Sequence, residues 1–439
     1  MATLDLSAHL KEAKKHGPQA RGISDMARSL VGSEILRIAG EVKAFAAQGN
    51  KVLDLTVGDF SSKEFPIPQP LEEGIIRALK AGHSNYPPAS GVIECREAVR
   101  QMFERRLGLG YPVGSVLIAG GARPMIAGIY YALCSPGDKV VYSLPSWNNN
   151  HYCTLVGAEK IEVPTRPESQ FFPRAEDLAP HLGQARLLCL NSPQNPTGTV
   201  IDRDALSQVC ELVLAENKRR QQAGSPPLYL MYDQVYWMLT FGGVTHHTPV
   251  SLYPEMAAYT IFVDGISKAF ASTGLRVGWA VGPTDVIERM SAILTHLGAW
   301  APRPEQIATA ELLNNGPAVD SYLAQMNRNL FTRLGKLSGA IEALKGKGWN
   351  VDCISPQGAI YLSLKIDLRG KKTAEGKLLR SDEDTRKYLL EEAGIALVPF
   401  LCFGLAEDTG WFRASVGAVS LADCDSFQAR LTGALEKLS

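Results

Sequence analysis

DGISKAFASTGLRVGWAVGP, residues 264–283, links the end of one apolar run to the start of another through a segment rich in Ser, Gly and Thr. The runs at 260–264 and 276–281 have the length and β-branched content of strands. Lys268 stands just past the first, and Arg276 follows eight residues later at the start of the second. A lone lysine there can be a solvated surface charge. Paired with a permanently charged arginine, an amine that can act as a nucleophile suits a cofactor bearing an electrophilic carbon and a phosphate.

Further strand-like runs lie at 115–119, 139–143, 187–190 and 228–232, alternating with helical patterns at 125–134, 202–216 and 286–297. In the last of these, Ile287, Met290, Ile293, Leu294 and Leu297 share one face. Such alternation predicts an α/β fold with a mostly parallel sheet covered by helices. From Val319 onward, Leu323, Met326, Leu330, Leu334, Leu337, Ile341 and Leu344 recur every three or four residues, predicting a long amphipathic helix ended by Gly346 and Gly348. Paired strands at 351–355 and 359–364, a helix at 383–392 and a strand at 412–416 then form a smaller α+β module. The expected division is an N-terminal arm over 1–50 whose helix at 33–47 packs with that module, a large domain over 51–318 and a small domain over 319–439.

Several strand ends carry chemistry-bearing residues. Asp233 closes the run in LYLMYDQVYW (228–237). In open α/β sheets ligands bind at the carboxyl ends of strands, and a carboxylate there needs a cationic partner. A pyridinium nitrogen is one such partner; a helix N-cap or Asx turn is the alternative reading of the residue. Tyr236, three residues on, can reach the same ligand with its hydroxyl. In NSPQNPTG (191–198) the prolines and glycine force an irregular turn that holds Asn195, whose amide can donate to a phenolate oxygen without adding charge. GGARPM (120–125) either aims backbone N–H groups at an anion or simply turns the chain. It matches neither GxGxxG nor GxxxxGK[ST], which disfavours a dinucleotide fold or a P-loop. Trp147 in LPSWNNNHY (144–152) stacks on a planar ring or packs in the core, and Arg413 in GWFRASVG (410–417) makes a surface salt bridge or grips an α-carboxylate with its fork.

The 439 residues hold 45 basic and 45 acidic side chains, so no charge excess argues for a nucleic acid or an anionic membrane as partner. Eight cysteines show no CxxC pair or metal-ligand spacing and are expected to be free buried thiols, with no metal. The N-terminal MATLDLSAHLKEAKKHG lacks the apolar core of a signal peptide, and no run is long enough to span a bilayer, so a cytoplasmic location is expected.

Taken together, LTVGDF (55–60), NYPPASGVIECREAV (85–99), GGAR (120–123), PGDKVV (136–141), NSPQNPTG, YDQVY (232–236), SKAFASTGLRVGW (267–279), QGAIYL (357–362) and FRASVG (412–417) resemble, in order, the class I/II aminotransferases of fold type I. These are pyridoxal 5′-phosphate enzymes, and the resemblance covers roughly residues 30–435. It implies a large domain with a seven-stranded, mostly parallel sheet and a smaller α+β domain. It also implies that Lys268 holds the cofactor as a Schiff base and then serves as acid and base, that Asp233 pairs with the ring nitrogen, and that Tyr236 and Asn195 bond to the phenolic oxygen. Arg276, Arg123, the backbone at Gly121 and Ala122, and Ser267 would bind the phosphate, and Trp147 would cover the ring. Arg413 would clamp the substrate carboxylate near Asn195, Trp147 and Gly58. Tyr86 matches the tyrosine that reaches the phosphate of a neighbouring subunit, which implies a homodimer.

Two departures from the family pattern stand out. Gly265 occupies the position three before the lysine where relatives often carry a hydroxyl, and no second cation for a distal carboxylate is evident beyond Arg37 in GSEILRIAG (32–40). Asn148, Asn149 and Asn150 are available for substrate hydrogen bonds. The expected reaction is a ping-pong transfer of the α-amino group of an L-amino acid, aspartate or aromatic, to a 2-oxo acid such as 2-oxoglutarate. The alternatives are a C–S lyase or decarboxylase on the same scaffold, and a pyridoxal phosphate-binding regulator. The regulator needs an added DNA-binding module for which the N-terminal segment is too short.

Overall fold

In the computed structural model, which describes residues 4–15, 17, 21–30, 32 and 34–439, the apolar runs assemble into three sheets. The strands are β1 (Leu53–Asp54), β2 (Val116–Ala119), β3 (Lys139–Leu144), β4 (Glu159–Pro164), β5 (Ala185–Asn191), β6 (Tyr229–Asp233), β7 (Thr260–Gly265), β8 (Gly278–Val281), β9 (Val351–Cys353), β10 (Tyr361–Ile366), β11 (Ile395–Ala396), β12 (Val398–Pro399) and β13 (Trp411–Ser415). Seven of them form the sheet β2-β8-β7-β6-β5-β3-β4, parallel except for β8, which runs antiparallel to both its neighbours. The sheet therefore has the expected α/β character. Its register aligns Asn191 with Asp233 and Asp233 with Val263, so the carboxyl ends of β5, β6 and β7 lie side by side.

Within this sheet β4 is the strand that periodicity does not reveal. Glu159, Lys160 and Glu162 give it the charged, partly exposed surface of an edge strand, which blunts unwanted pairing and hides the apolar alternation. Arg276, expected at the start of a strand, instead precedes β8 in a left-handed conformation (φ 57°). That turn lets its guanidinium fold back on the Thr273 carbonyl.

The long helix runs Gly316–Gly346, three residues earlier than Val319, because the Asn315 side chain caps it by accepting from Ala318 N. It buries the anticipated stripe, including Leu330, Leu334, Leu337, Ile341 and Leu344, each worth about 1.5–3 kcal/mol relative to exposure. The antiparallel sheet β12-β13-β10-β9 packs beside it, and β1 pairs with β11. Ser33 lies outside the described residues, and the helix expected at 33–47 runs Glu34–Ala47. Ile38 and Val42 on that helix are buried with Val398, Phe400 and Trp411. All eight cysteines are unbridged. Among the described residues no helix is long and apolar enough to cross a membrane, and no His, Cys, Asp and Glu cluster could hold a metal ion.

Candidate active site

A cavity of about 470 Å³ opens where β5, β6 and β7 end. Of the residues singled out in the sequence, Gly58, Ala122, Arg123, Trp147, Asn148, Asn149, Asn195, Asp233, Tyr236, Ser267, Lys268, Arg276 and Arg413 line it. Local hydrogen bonds explain how the chain brings them there. Asn191, the last residue of β5, donates through Nδ2 to the Asp233 carbonyl (2.9 Å) and accepts from Asn195 N (2.7 Å), pinning the NSPQNPTG turn to the strand ends. Gly265 caps the four-residue helix Ile266–Ala269, which carries Lys268 into the cavity.

Gly265 also has a steric reason. A Cβ there would stand 2.8 Å from the Val277 carbonyl oxygen and 2.9 Å from Gly278 Cα, so β8 leaves no room for the hydroxyl side chain that relatives often carry. Ser267 and Thr273 are among the hydroxyl residues that line the cavity.

At one end the charges are cationic. Arg276 donates to the carbonyls of Thr273 (2.7 Å) and Gly120 (2.8 Å), and among the described residues no carboxylate pairs with it. Burial, then the neighbouring Arg123, lowers its pKa. Arg123 lies 4.7 Å over the Trp147 ring. Gly121, at φ 102°, turns the chain so tightly that a Cβ would strike the Arg276 guanidinium. Its N–H is taken by the Ala119 carbonyl (2.7 Å), so Gly121 supplies the turn, and the donors to an anion start at Ala122, the first residue of the helix Ala122–Leu133.

At the cavity floor Asp233 accepts from Val235 N (3.1 Å) and has no ion-pair partner among the described residues. Burial pushes its pKa up to about 6, opposed by that bond and by the Lys268 charge. Lys268 Nζ donates to the Gly58 carbonyl (2.7 Å) and sits 5.7 Å from the centre of the Tyr236 ring. Burial, then Tyr361, holds the Tyr236 pKa well above its ordinary value, keeping the hydroxyl neutral.

The opposite end is built around Arg413, 2% exposed on β13. It donates to the Thr56 carbonyl (2.7 Å) and to Asn195 Oδ1 (3.1 Å), lies against Tyr361 and Phe403, and leaves its buried Nε without a partner among the described residues. Because the Asn195 oxygen is engaged, its NH₂ group is the end left to donate.

Three sequence candidates fall elsewhere. Arg37 is exposed and paired with Glu34 and Glu41, while its neighbours Ile35 and Leu36 line the cavity. Asn150 lines a smaller adjoining cavity, whereas Asn149 bridges Tyr130 and Ser146 inside the main one. Tyr86 is 81% exposed, leans on Trp300 and does not line the cavity of its own chain.

Sequence reading missed three residues. Asp59 lines the cavity and accepts from Thr273 Oγ1 (2.6 Å), so Asp233 is not the sole acid there. Asp264 is buried near the end of β7, accepting from Gly265 N and Trp237 Nε1 (both 2.7 Å), and burial pushes its pKa up to about 8. Tyr361 meets Tyr236 hydroxyl to hydroxyl at 2.8 Å across 125 residues of chain. The stretch QGAIYL drew attention to that segment, but no local pattern distinguishes its tyrosine.

The family described as aminotransferase class I and II matches residues 50–431. An aspartate aminotransferase of Rhizobium meliloti (strain 1021) is 30% identical over 413 residues, covering 93% of this chain and 94% of that protein. A bifunctional aspartate aminotransferase and glutamate/aspartate-prephenate aminotransferase of Petunia hybrida is 31% identical over 388 residues, 87% of this chain and 77% of that protein. The crystal structure of the Rhizobium meliloti aspartate aminotransferase aligns with a TM-score of 0.86 at 28% identity, covering 95% of this chain and 99% of that one.

Proposed function

The chain belongs to the class I and II aminotransferases, and from that premise we propose that it moves the α-amino group of aspartate or an aromatic amino acid to 2-oxoglutarate, using pyridoxal 5′-phosphate held in the cavity. One observation carries the reading. Lys268, Arg123, Arg276 and Arg413 line a single cavity, and among the described residues none is ion-paired with a carboxylate, while Asp233 at its floor lacks a cation. Arg413 is buried, Lys268, Arg276 and Asp233 are half-buried and Arg123 is exposed, and unpaired charges withdrawn from water are costly. A ligand with a cationic ring nitrogen, a phosphate and, on the substrate, a carboxylate satisfies each of them, so the residues present fit this cofactor.

Bound there, pyridoxal phosphate supplies an electron sink for the bonds at the substrate's α-carbon. The protein does the rest. Asp233 keeps the ring nitrogen protonated, and Tyr236 and Asn195 donate to the phenolic oxygen. Arg276, Arg123, Ser267 and the N–H of Ala122 hold the phosphate, with Gly121 shaping the turn, and Trp147 covers one face of the ring. Lys268 Nζ would hold the cofactor and, as an amine, would take and return the α-proton, with the Gly58 carbonyl 2.7 Å away to receive its N–H. Arg413 grips the α-carboxylate through its fork.

We further propose a homodimer in which the exposed Tyr86 reaches the phosphate of the neighbouring subunit, and a division into arm, large and small domains at residues 1–50, 51–318 and 319–439. The eight unbridged thiols support a cytoplasmic setting. Lys268→Ala tests the central claim: amino transfer and the visible absorbance gained on adding pyridoxal phosphate should both vanish, and retention of both would overturn it. Pyruvate and ammonia formed without any oxo acid would show a lyase instead.

A further inference from the structure

Tyr361 stands where the two ends of the cavity meet. β10 and β13 pair antiparallel with Tyr361 opposite Ser415 and Ser363 opposite Arg413, which lays the Arg413 guanidinium over the Tyr361 ring, 4.7 Å from its centre. Phe403 packs on the same guanidinium at 5.0 Å. The Tyr361 hydroxyl lies 2.8 Å from that of Tyr236, and the residue is 1% exposed. It also crowds the segment that receives Lys268, since a Cβ on Gly58 would stand 2.9 Å from the Tyr361 oxygen. One buried side chain therefore touches the arginine, the phenol and the backbone that the proposed reaction uses.

A tyrosine hydroxyl has one proton to donate, and two buried hydroxyls sharing one hydrogen bond cannot both donate within it. For Tyr236 to direct its proton at a ligand in the cavity, the shared proton must come from Tyr361.

We propose that Tyr361 is a positioning residue that couples the carboxylate anchor to the phenol: its hydroxyl donates to Tyr236, committing the Tyr236 proton to the cavity, and its ring holds Arg413 in place for the substrate's carboxylate. The proposal rests on the transaminase reading above. It divides the side chain into two functions that substitution separates. Tyr361→Phe keeps the ring and removes the hydroxyl, whereas Tyr361→Leu removes both.

The experiment uses the cofactor-loaded enzyme, with maleate as an unreactive dicarboxylate. Tyr361→Phe should raise the midpoint of the pH titration of cofactor absorbance by about one unit and lower kcat roughly tenfold, leaving KM for the amino donor and the maleate Kd within about twofold. Tyr361→Leu should add a rise of roughly tenfold in both KM and maleate Kd. Thermal melts of both variants monitor folding, and if the leucine variant does not fold the phenylalanine variant alone decides. An unmoved absorbance midpoint in Tyr361→Phe overturns the hydroxyl's role, and unchanged KM and Kd in a folded Tyr361→Leu overturn the ring's. If the parent enzyme itself shows neither cofactor absorbance nor amino transfer, the transaminase reading fails instead.

Discussion

At the Arg276 end of the cavity the cationic groups come from two short loops, GGAR and ASTGLR, whereas at the other end a single cation, Arg413, is held by Thr56, Asn195, Tyr361 and Phe403 from distant parts of the chain. Arg276 is held by Thr273, three residues away, and by Gly120 in the facing loop. Arg413 reaches Asn195 across 218 residues and Thr56 across 357. The first end is a matter of tight backbone turns, where φ 102° at Gly121 and φ 57° at Arg276 set the geometry. The second is a matter of packing, where a buried guanidinium is held by a carbonyl, an amide and two aromatic faces. Local geometry suits a phosphate common to every turnover. Long-range packing suits a substrate that must enter and leave.

The sharpest way to break the contrast is at Arg413. Arg413→Ala removes the cation and leaves the Thr56 carbonyl without its donor, so kcat/KM for the amino donor should fall on the order of a hundred- to a thousandfold with cofactor affinity nearly unchanged. Steady-state kinetics and a cofactor titration measure the two, and an equal loss in both would show that the ends are not independent.

Gly121→Ala is the mirror test. It places a side chain at φ 102° against Arg276, at a strain of about 1–3 kcal/mol, so cofactor affinity should drop roughly tenfold or more. KM for the amino donor, measured at saturating cofactor, should hardly move.

Outside the cavity lining, Asp264 on β7 is buried, which pushes its pKa from the ordinary 3.8 up to about 8. The folded protein thus binds more protons than the unfolded one between those values, and stability from this group is lost as pH rises through that window. Thermal melts of the cofactor-free protein should therefore show a steeper loss from about pH 5 to 8 in the parent than in Asp264→Asn. Parallel profiles would refute the assignment. The smallest effect belongs to Arg37→Ala, which breaks only exposed ion pairs: aspartate and alanine turnover should each change less than about twofold. A selective loss with dicarboxylates would restore Arg37 as a second anchor.

What was legible in the sequence follows the same division. GGAR, SKAFASTGLR and NSPQNPTG could be read because strand, turn and functional residue are contiguous, and the structure brings Lys268, Asp233, Asn195 and Arg276 to one cavity. Tyr361 and Asp264 could not, since a tyrosine and an aspartate in apolar strands look like ordinary residues until their partners on other elements are known. Gly265 was read as a departure. Only the contact with Val277 and Gly278 explains it.

By itself the sequence determined the alternation of strands and helices, the long amphipathic helix and the family, because periodicity and contiguous motifs depend on residues close together along the chain. Tertiary structure alone decided that β4 guards the sheet edge, that Gly121 gives its N–H to Ala119, that Arg37 turns outward and that Tyr361 joins Arg413 to Tyr236. Each of these depends on which strands lie side by side and how close their backbones come, and that follows from packing the whole chain around its core.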